Sequence, residues 1–132
     1  MTREELMNKI KIIIEKEPMH DMNRDYVTSN FKDKKNGIYF LYDENETVIY
    51  VGQCGDKTYT SFYHRMYGHG DGSHSVHKWF NAVKKFRFKT FPNLDKDELK
   101  KVERLMIYAN NQPIYNDCYI SKDDIKNINS NL

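Results

Sequence analysis

The apolar residues of the chain fall into helical and strand patterns that alternate along its length. The first helical stripe lies near the N-terminus and consists of Leu6, Ile10, Ile13 and Ile14. Thr2 stands where an N-cap is expected and Pro18 follows the stripe, so we predict a helix between them. The next segment, residues 19–36, is polar and has no such period, which predicts a linker or an irregular extension.

Three short runs have the composition of β-strands. Residues 37–42 and 48–52 are rich in β-branched and aromatic side chains, and the acidic loop 43–47 between them predicts a hairpin. If Tyr42 pairs with Thr47, then Tyr39 lies directly opposite Tyr50, on the same face of the sheet. The run "FRFKTF" (86–91) alternates aromatic and basic residues, which predicts a third strand with one solvated face.

Helical patterns return in the second half of the chain. Residues 75–85 indicate a helix, and residues 93–113 give the clearest one, with Asp95 and Glu98 as a capping box. A short helix is expected in the tail. The chain therefore predicts an α+β fold, in which helices flank a three-stranded antiparallel sheet and a helical extension precedes it.

Composition and charge exclude several classes of protein. The 132 residues suffice for one domain, and the net charge of +2 permits a nucleic-acid partner without demanding one. The two cysteines form no disulfide framework. The sequence has no apolar run long enough to span a bilayer, and its N-terminus lacks the apolar stretch of a secretory signal. We expect a cytoplasmic protein with reduced thiols, not bound to a membrane.

One carboxylate interrupts the apolar stripe of the strongest helix. Glu103 lies four residues after Leu99 and three before Met106, both of which are apolar. A carboxylate on a core-facing stripe is costly unless it has a partner. Two interpretations follow: the residue lies at the edge of the stripe with its head in water, or it is a metal ligand at the bottom of a cleft.

Histidines and basic residues cluster in the middle of the chain. Arg65 and His69 are four residues apart, so they share a face if this segment is helical. Arginine suits phosphate oxygens, and histidine can exchange a proton near neutral pH. The histidine-rich loop has two interpretations: it is a zinc site, or it is a polar loop beside a site. The candidate zinc ligands are His69, Asp71, His74, His77 and, upstream, Cys54.

Taken in order, these features resemble the GIY-YIG nuclease family. Gly37-Ile38-Tyr39 matches the first half of the family name, and Tyr50-Val51-Gly52 is similar to the second half, with valine in place of isoleucine. Arg65 and His69 have the spacing of the family's arginine and its histidine or tyrosine. Glu103 is followed by apolar residues, like the family's glutamate, and Asn116 ends the expected Pro-x-x-Asn. These landmarks cover residues 37–116.

The resemblance implies an endonuclease that hydrolyses a DNA phosphodiester with one Mg²⁺ or Mn²⁺ ion. Glu103 would be the only protein ligand of the ion, and Arg65 would hold the phosphate. Tyr39, Tyr50 or His69 would help to deprotonate the attacking water, and the choice among them stays open. Asn116 would position the metal site or the helix of the glutamate.

The chain departs from the family pattern between the second tyrosine and the arginine. The segment "CGDKTYT" lengthens this connection, and Gln53 stands where many relatives carry a lysine. Lys57, within the insertion, is a candidate substitute. The residues predicted to contact DNA are Lys57, Lys78, Lys84, Lys85 and Arg87, although a run of this kind is also typical of a solvated face.

The resemblance divides the chain into an N-terminal extension (1–35) packed on the core, a catalytic domain (36–118) and a C-terminal tail (119–132). It favours a small stand-alone nuclease, bacterial or phage-encoded, that acts on DNA, with double-stranded DNA as the expected substrate. Monomer and homodimer both remain open. A catalytically weak or inactive nucleic-acid-binding module with the same fold is the main alternative, and a zinc-stabilised interaction domain is another.

Overall fold

The computed structural model describes residues 2–68, 72–126 and 128, and within them the chain forms an antiparallel sheet flanked by helices. The strands are β1 (His20–Asp21), β2 (Gly37–Tyr42), β3 (Val48–Cys54) and β4 (Lys85–Thr90), in the spatial order β1-β4-β2-β3. The predicted α+β class with an antiparallel sheet is confirmed. The prediction of three strands is wrong, because the two-residue β1 pairs with β4 and adds a fourth strand to the described part of the sheet.

Five α-helices surround this sheet in the described residues. They are α1 (Arg3–Glu15), α2 (Arg24–Phe31), α3 (Phe62–Tyr67), α4 (Lys96–Ala109) and α5 (Lys122–Ile125). The predicted caps are confirmed: Thr2 Oγ1 accepts the Glu5 N–H at 3.1 Å. Asp95 and Glu98 accept each other's backbone N–H groups at 2.8 and 3.0 Å. Caps of this kind satisfy donors that the first helical turn leaves unpaired.

Two local predictions are wrong. The segment expected to be irregular contains β1 and α2, and α2 begins where the Asn23 side chain accepts the Tyr26 N–H at 3.0 Å. The helix expected over residues 75–85 is replaced by two 3₁₀ turns, His74–Val76 and Lys78–Ala82. His77 between them has an extended backbone (φ −91°, ψ 140°), which breaks the helical hydrogen-bond ladder.

Alternate residues of the central strand β2 supply two separate cores. Ile38 and Phe40 face α1, α4 and α5, whereas Tyr39 and Leu41 face α2 and α3. All residues of β2 are buried, because helices cover both faces of the sheet. The segment 1–35 contributes to both cores: α1 packs on one face, and Val27 of α2 packs on the other.

The register of the hairpin differs from the predicted one. Asp43, rather than Tyr42, pairs with Thr47, through a 3.0 Å backbone hydrogen bond. A bulge near Ile49 then sets Tyr50 opposite Leu41, so that Tyr39 lies opposite Gly52. The shift relative to the prediction is an even number of residues, so both tyrosines keep a common face. No helix in the described residues is both long and apolar enough to cross a lipid bilayer.

Candidate active site

The two tyrosines lie side by side on the face of the sheet that α3 covers. Their ring centroids are 6.2 Å apart and their planes differ by 20°. Tyr39 is fully buried, whereas Tyr50 on the edge strand β3 is only half-buried. Gly52 makes this arrangement possible, since a Cβ atom there would stand 2.3 Å from the ring and hydroxyl of Tyr39. The ring of Tyr39 can therefore occupy this position only because residue 52 is a glycine.

Substitution of Gly52 by alanine is expected to displace Tyr39 and destabilise the protein. The added methyl has no free volume, and overpacking of this kind costs about 1–3 kcal/mol. Urea unfolding measures the loss. Gly72→Ala is the matched control, because a Cβ at Gly72 meets nothing within 4 Å. Equal stability of the two variants would contradict the packing argument.

Arg65 points its guanidinium towards the tyrosine pair. It lies on α3, whose N-cap is Ser61, and it approaches both hydroxyls. Burial raises the pKa of Tyr39 well above its usual value, and it also raises that of Tyr50; the charge of Arg65 opposes both rises. The Nε of Arg65 is buried and has no hydrogen-bond partner among the described residues. An unsatisfied buried donor is costly, so this atom is suited to an anionic ligand.

Glu103 comes from α4, which packs on the other face of the sheet, and its charge interacts with Arg65 and Tyr50. Its side chain is half-buried, and burial raises its pKa to about 7, whereas Arg65 is the main charge that opposes the rise. The charge of Glu103 also contributes to the raised pKa of Tyr50 and of the Cys54 thiol, which lines the buried side of β3. In the described part of the chain no ion pair joins Glu103 to a basic side chain. The carboxylate is thus available to a cation.

His74 is a member of the site that the sequence suggested only as a zinc ligand. It is buried, and its Nε2 lies 2.7 Å from the Tyr39 hydroxyl. Burial, together with the charge of Arg65, lowers the pKa of His74 to about 3, so the imidazole is neutral. His69, the histidine that the resemblance selected, lies outside the described residues. Nothing in the sequence distinguishes His74 from its neighbours, because its burial depends on how the 3₁₀ turn packs on β2.

Asn116 lies at the outer edge of β3, where its side-chain amide pairs with the backbone of Val51. Its Oδ1 accepts the Val51 N–H and its Nδ2 donates to the Val51 carbonyl, both at 2.9 Å. The neighbouring Tyr115 N–H donates to the Ile49 carbonyl at 3.0 Å. This segment therefore pairs with the outer edge of β3. Asn116 fixes the backbone beside Tyr50, and its amide is occupied there rather than at the helix of the glutamate.

The predicted DNA-contacting residues do not form one surface. Arg87 lies opposite Phe40 and Lys85 opposite Tyr42, on the face of the sheet away from Tyr39. Lys85 pairs with Glu46 at 3.1 Å. Arg87 donates to the Glu17 carbonyl at 2.9 Å and to the Tyr42 hydroxyl at 2.8 Å. These two basic residues have partners within the fold, and their contact with DNA stays a prediction.

The other three predicted contacts remain in solvent. Lys57 precedes the 3₁₀ turn Thr58–Thr60, Lys78 begins the turn that ends at Ala82, and Lys84 precedes β4; all three side chains are exposed. The positive charge that opposes the rise in pKa of both tyrosines is that of Arg65. The suggestion that Lys57 replaces the lysine expected at Gln53 stays a prediction.

The described residues contain no cluster of three or more His, Cys, Asp or Glu side chains that could hold a metal ion. Of the candidate zinc ligands, His74 shares a hydrogen bond with Tyr39, and His77 stacks on Trp79. His69 and Asp71 lie outside the described residues. The remaining candidate is the single carboxylate of Glu103. One carboxylate fits a hard cation such as Mg²⁺, which retains several waters, and it does not fit structural zinc.

Comparison with known proteins gave no match: no protein-family model, no curated protein and no solved structure corresponds to this chain.

Proposed function

We propose that this protein is a metal-dependent endonuclease of the GIY-YIG type, which hydrolyses a phosphodiester bond of DNA. The observation that supports the proposal is the convergence of Tyr39, Tyr50, Arg65 and Glu103. These residues come from β2, β3, α3 and α4, and the charge of Arg65 acts on each of the other three. A fold has no structural need to gather two phenols, a guanidinium and a carboxylate in one place, whereas phosphodiester hydrolysis uses all of them.

The donor set fits a single divalent cation. Glu103 supplies one oxygen ligand. Its pKa is raised because burial disfavours the ionised carboxylate more strongly than the nearby basic residues favour it. A cation at this position, when bound, would stabilise the charge on the phosphate and on the leaving oxygen. Binding requires the ionised carboxylate, so metal affinity should rise with pH up to about the pKa of 7.

Arg65 provides the anion site. Its guanidinium lies close to both tyrosine hydroxyls, and its buried Nε has no partner among the described residues, so the group has donor capacity left for a phosphate oxygen. A planar fork with several donors holds the phosphate in a fixed orientation. Because these donors are fixed before the reaction, they stabilise the charge that develops in the transition state.

Of the two tyrosines, Tyr50 is the better candidate to accept the proton of the attacking water, which it would do as the phenolate, the form that burial opposes and the charge of Arg65 favours. Tyr39 is fully buried and bonded to a neutral His74, so it has neither access to water nor a good proton acceptor. Tyr50 is half-exposed and also lies close to Arg65. Tyr39 and His74 then act as positioning residues, which hold the guanidinium and the second tyrosine in place.

Tyr50→Phe is therefore expected to lower turnover more than Tyr39→Phe. Loss of a proton-transfer group typically costs 10²–10⁴-fold in rate. The pH dependence of cleavage distinguishes the roles: Tyr50→Phe should flatten the rise in rate with pH, and Tyr39→Phe should retain it at a lower rate. The reverse ranking would assign proton transfer to Tyr39.

Cleavage of supercoiled plasmid by the purified protein tests the proposal. Nicking or linearisation with Mg²⁺ or Mn²⁺, and its loss in EDTA, is the expected result. An intact plasmid together with retained DNA binding would overturn the endonuclease and favour the nucleic-acid-binding module. Cleavage that survives EDTA would contradict the metal requirement.

A further inference from the structure

Four aromatic rings form a stack beside the candidate active site. The ring of Trp79 lies nearly parallel to three others: Tyr50 (5.1 Å, 18°), Tyr115 (5.3 Å, 12°) and His77 (5.8 Å, 6°). These four residues are here named the aromatic stack. It joins β3, the second of the 3₁₀ turns that follow α3 and the segment that pairs with the outer edge of β3. Tyr50 belongs to both the stack and the tyrosine pair.

The stack remains open to solvent at its outer side. His77 is exposed, and Trp79 and Tyr115 are only half-buried. Apolar side chains next to it in sequence are also exposed: 56% of Val76 and 75% of Ile114. Rings that served only to hold the loop on the sheet would bury their faces, as Tyr39 and Phe62 do in the core beneath. Large exposed apolar surface near a site indicates a binding role.

We propose that the aromatic stack binds an unpaired nucleobase of the DNA strand whose phosphate lies at Arg65. This inference rests on the proposed function and specifies its substrate: DNA with an unpaired nucleotide at the cleavage position, which negative supercoiling of a plasmid favours, rather than a relaxed and fully paired duplex. Flat, parallel rings match the face of a base, and base–aromatic stacking tolerates any sequence. In an intact duplex the faces of the bases are covered by their neighbours, so a base must leave the helix to reach the stack.

The position of Tyr50 sets the distance between base and phosphate. Its ring contacts Trp79 and its hydroxyl lies close to Arg65. A base seated on the outer rings and the phosphate held by Arg65 can therefore belong to neighbouring nucleotides. Lys78, exposed between the two rings His77 and Trp79 in sequence, adds a cation for the backbone of the same strand.

Fluorescence of Trp79, the only tryptophan of the chain, reports directly on this stack. The 132-residue protein is titrated in EDTA, so that no strand is cut. The first probe is a short oligothymidylate, the second is a strand of equal length built from abasic nucleotides, and the third is a perfectly paired duplex. The first two probes carry the same number of phosphates and differ only in the bases.

The expected result is that oligothymidylate quenches the fluorescence of Trp79 and binds about fivefold or more tightly than the abasic strand or the duplex. His77→Ala and Tyr115→Leu should each reduce this preference and leave binding of the abasic strand unchanged. Tyr26→Leu is the matched control: this tyrosine joins a ring cluster with His20 of β1, at the opposite edge of the sheet. It should bind both strands as the wild type does.

Equal affinity for the base-bearing and abasic strands, or failure of both to bind, would overturn the aromatic stack as a base site. An unchanged preference for the base-bearing strand in both His77→Ala and Tyr115→Leu would also overturn it. The plasmid assay separates this outcome from the nuclease proposal. An uncut plasmid with retained base-dependent binding would reject catalysis and keep the stack, whereas metal-dependent cutting without base preference would reject the stack alone.

Discussion

Replacement of Glu103 by glutamine is expected to abolish metal-dependent cleavage of plasmid DNA. The amide keeps the shape of the side chain but removes the carboxylate whose charge acts on Tyr50 and is opposed by Arg65. The loss should be at least 10²-fold in rate, the scale of a lost electrostatic contribution in an active site. Asp97→Asn, an exposed change of equal charge on the same helix α4, should cut as the wild type does.

The same substitution has a stability signature that does not depend on activity. In the metal-free protein the pKa of Glu103 rises from 4.5 in the unfolded chain to about 7 in the folded one. A raised pKa favours the folded state at low pH, and this contribution is lost as pH increases from 4.5 to 7. At about 1.4 kcal/mol per pH unit, the ionised carboxylate costs about 3 kcal/mol above pH 7.

Glu103→Gln should therefore raise the free energy of unfolding at pH 8 in EDTA and change it little at pH 4.5. Addition of Mg²⁺ at pH 8 should stabilise the wild type and not the variant, because binding to the folded state alone shifts the equilibrium. Urea unfolding at the two pH values measures both effects. An equal difference between wild type and variant at the two pH values would show that Glu103 is not a buried, titrating carboxylate.

Replacement of Arg65 by alanine is the second change with a large expected effect. The rate of cleavage should fall by about 10²–10³-fold, because a fixed donor to the developing charge is lost. Lysine should not restore the rate, since an ammonium group cannot present the planar fork of donors that a guanidinium offers to a phosphate. Removal of the guanidinium should also raise the pKa of Tyr39 and Tyr50 further, because Arg65 opposes the effect of burial on both.

Arg24→Ala is the matched control for Arg65. Arg24 lies over the ring of Tyr67, the last residue of α3, and its removal changes the net charge by the same amount near the same helix. Single-turnover rates and DNA affinity should be measured separately for each variant. A near-normal rate of cleavage by Arg65→Ala would contradict a role of Arg65 in the reaction. An equally large fall in rate for Arg24→Ala would contradict it too.

The strongly patterned elements of this fold could be predicted from local sequence. Helices α1 and α4 combine an apolar stripe with a side-chain cap, and both features depend on residues within a few positions of each other. The elements that were missed depend on distant partners. Strand β1 has two residues and exists because β4 supplies its hydrogen bonds. The segment after α3 forms 3₁₀ turns because its aromatic side chains pack on β3.

For the candidate site, the sequence supplied the residue types and their order. The resemblance to a known family, carried by Tyr39, Tyr50, Arg65 and Glu103, suggested that these residues act in one reaction. The sequence did not distinguish His74 from the other histidines of its loop. It also placed Lys85 and Arg87 with the DNA contacts, because alternation along β4 shows that two faces exist without showing which face holds the site. Asn116 was expected to position the metal site or the helix of the glutamate; its amide pairs with the Val51 backbone at the edge of β3, a contact that the sequence did not reveal.

By itself, then, the sequence determined what local interactions fix: helix stripes, caps, the strand hairpin and the chemical groups available. Tertiary structure alone decided which of those groups share a pocket. Gly52 shows the reason: its place opposite Tyr39 follows from a bulge at Ile49, and only there does the absence of a side chain make room for a buried ring. Burial in turn set the charge states of Glu103 and His74, because desolvation is a property of the packed molecule and not of the local sequence.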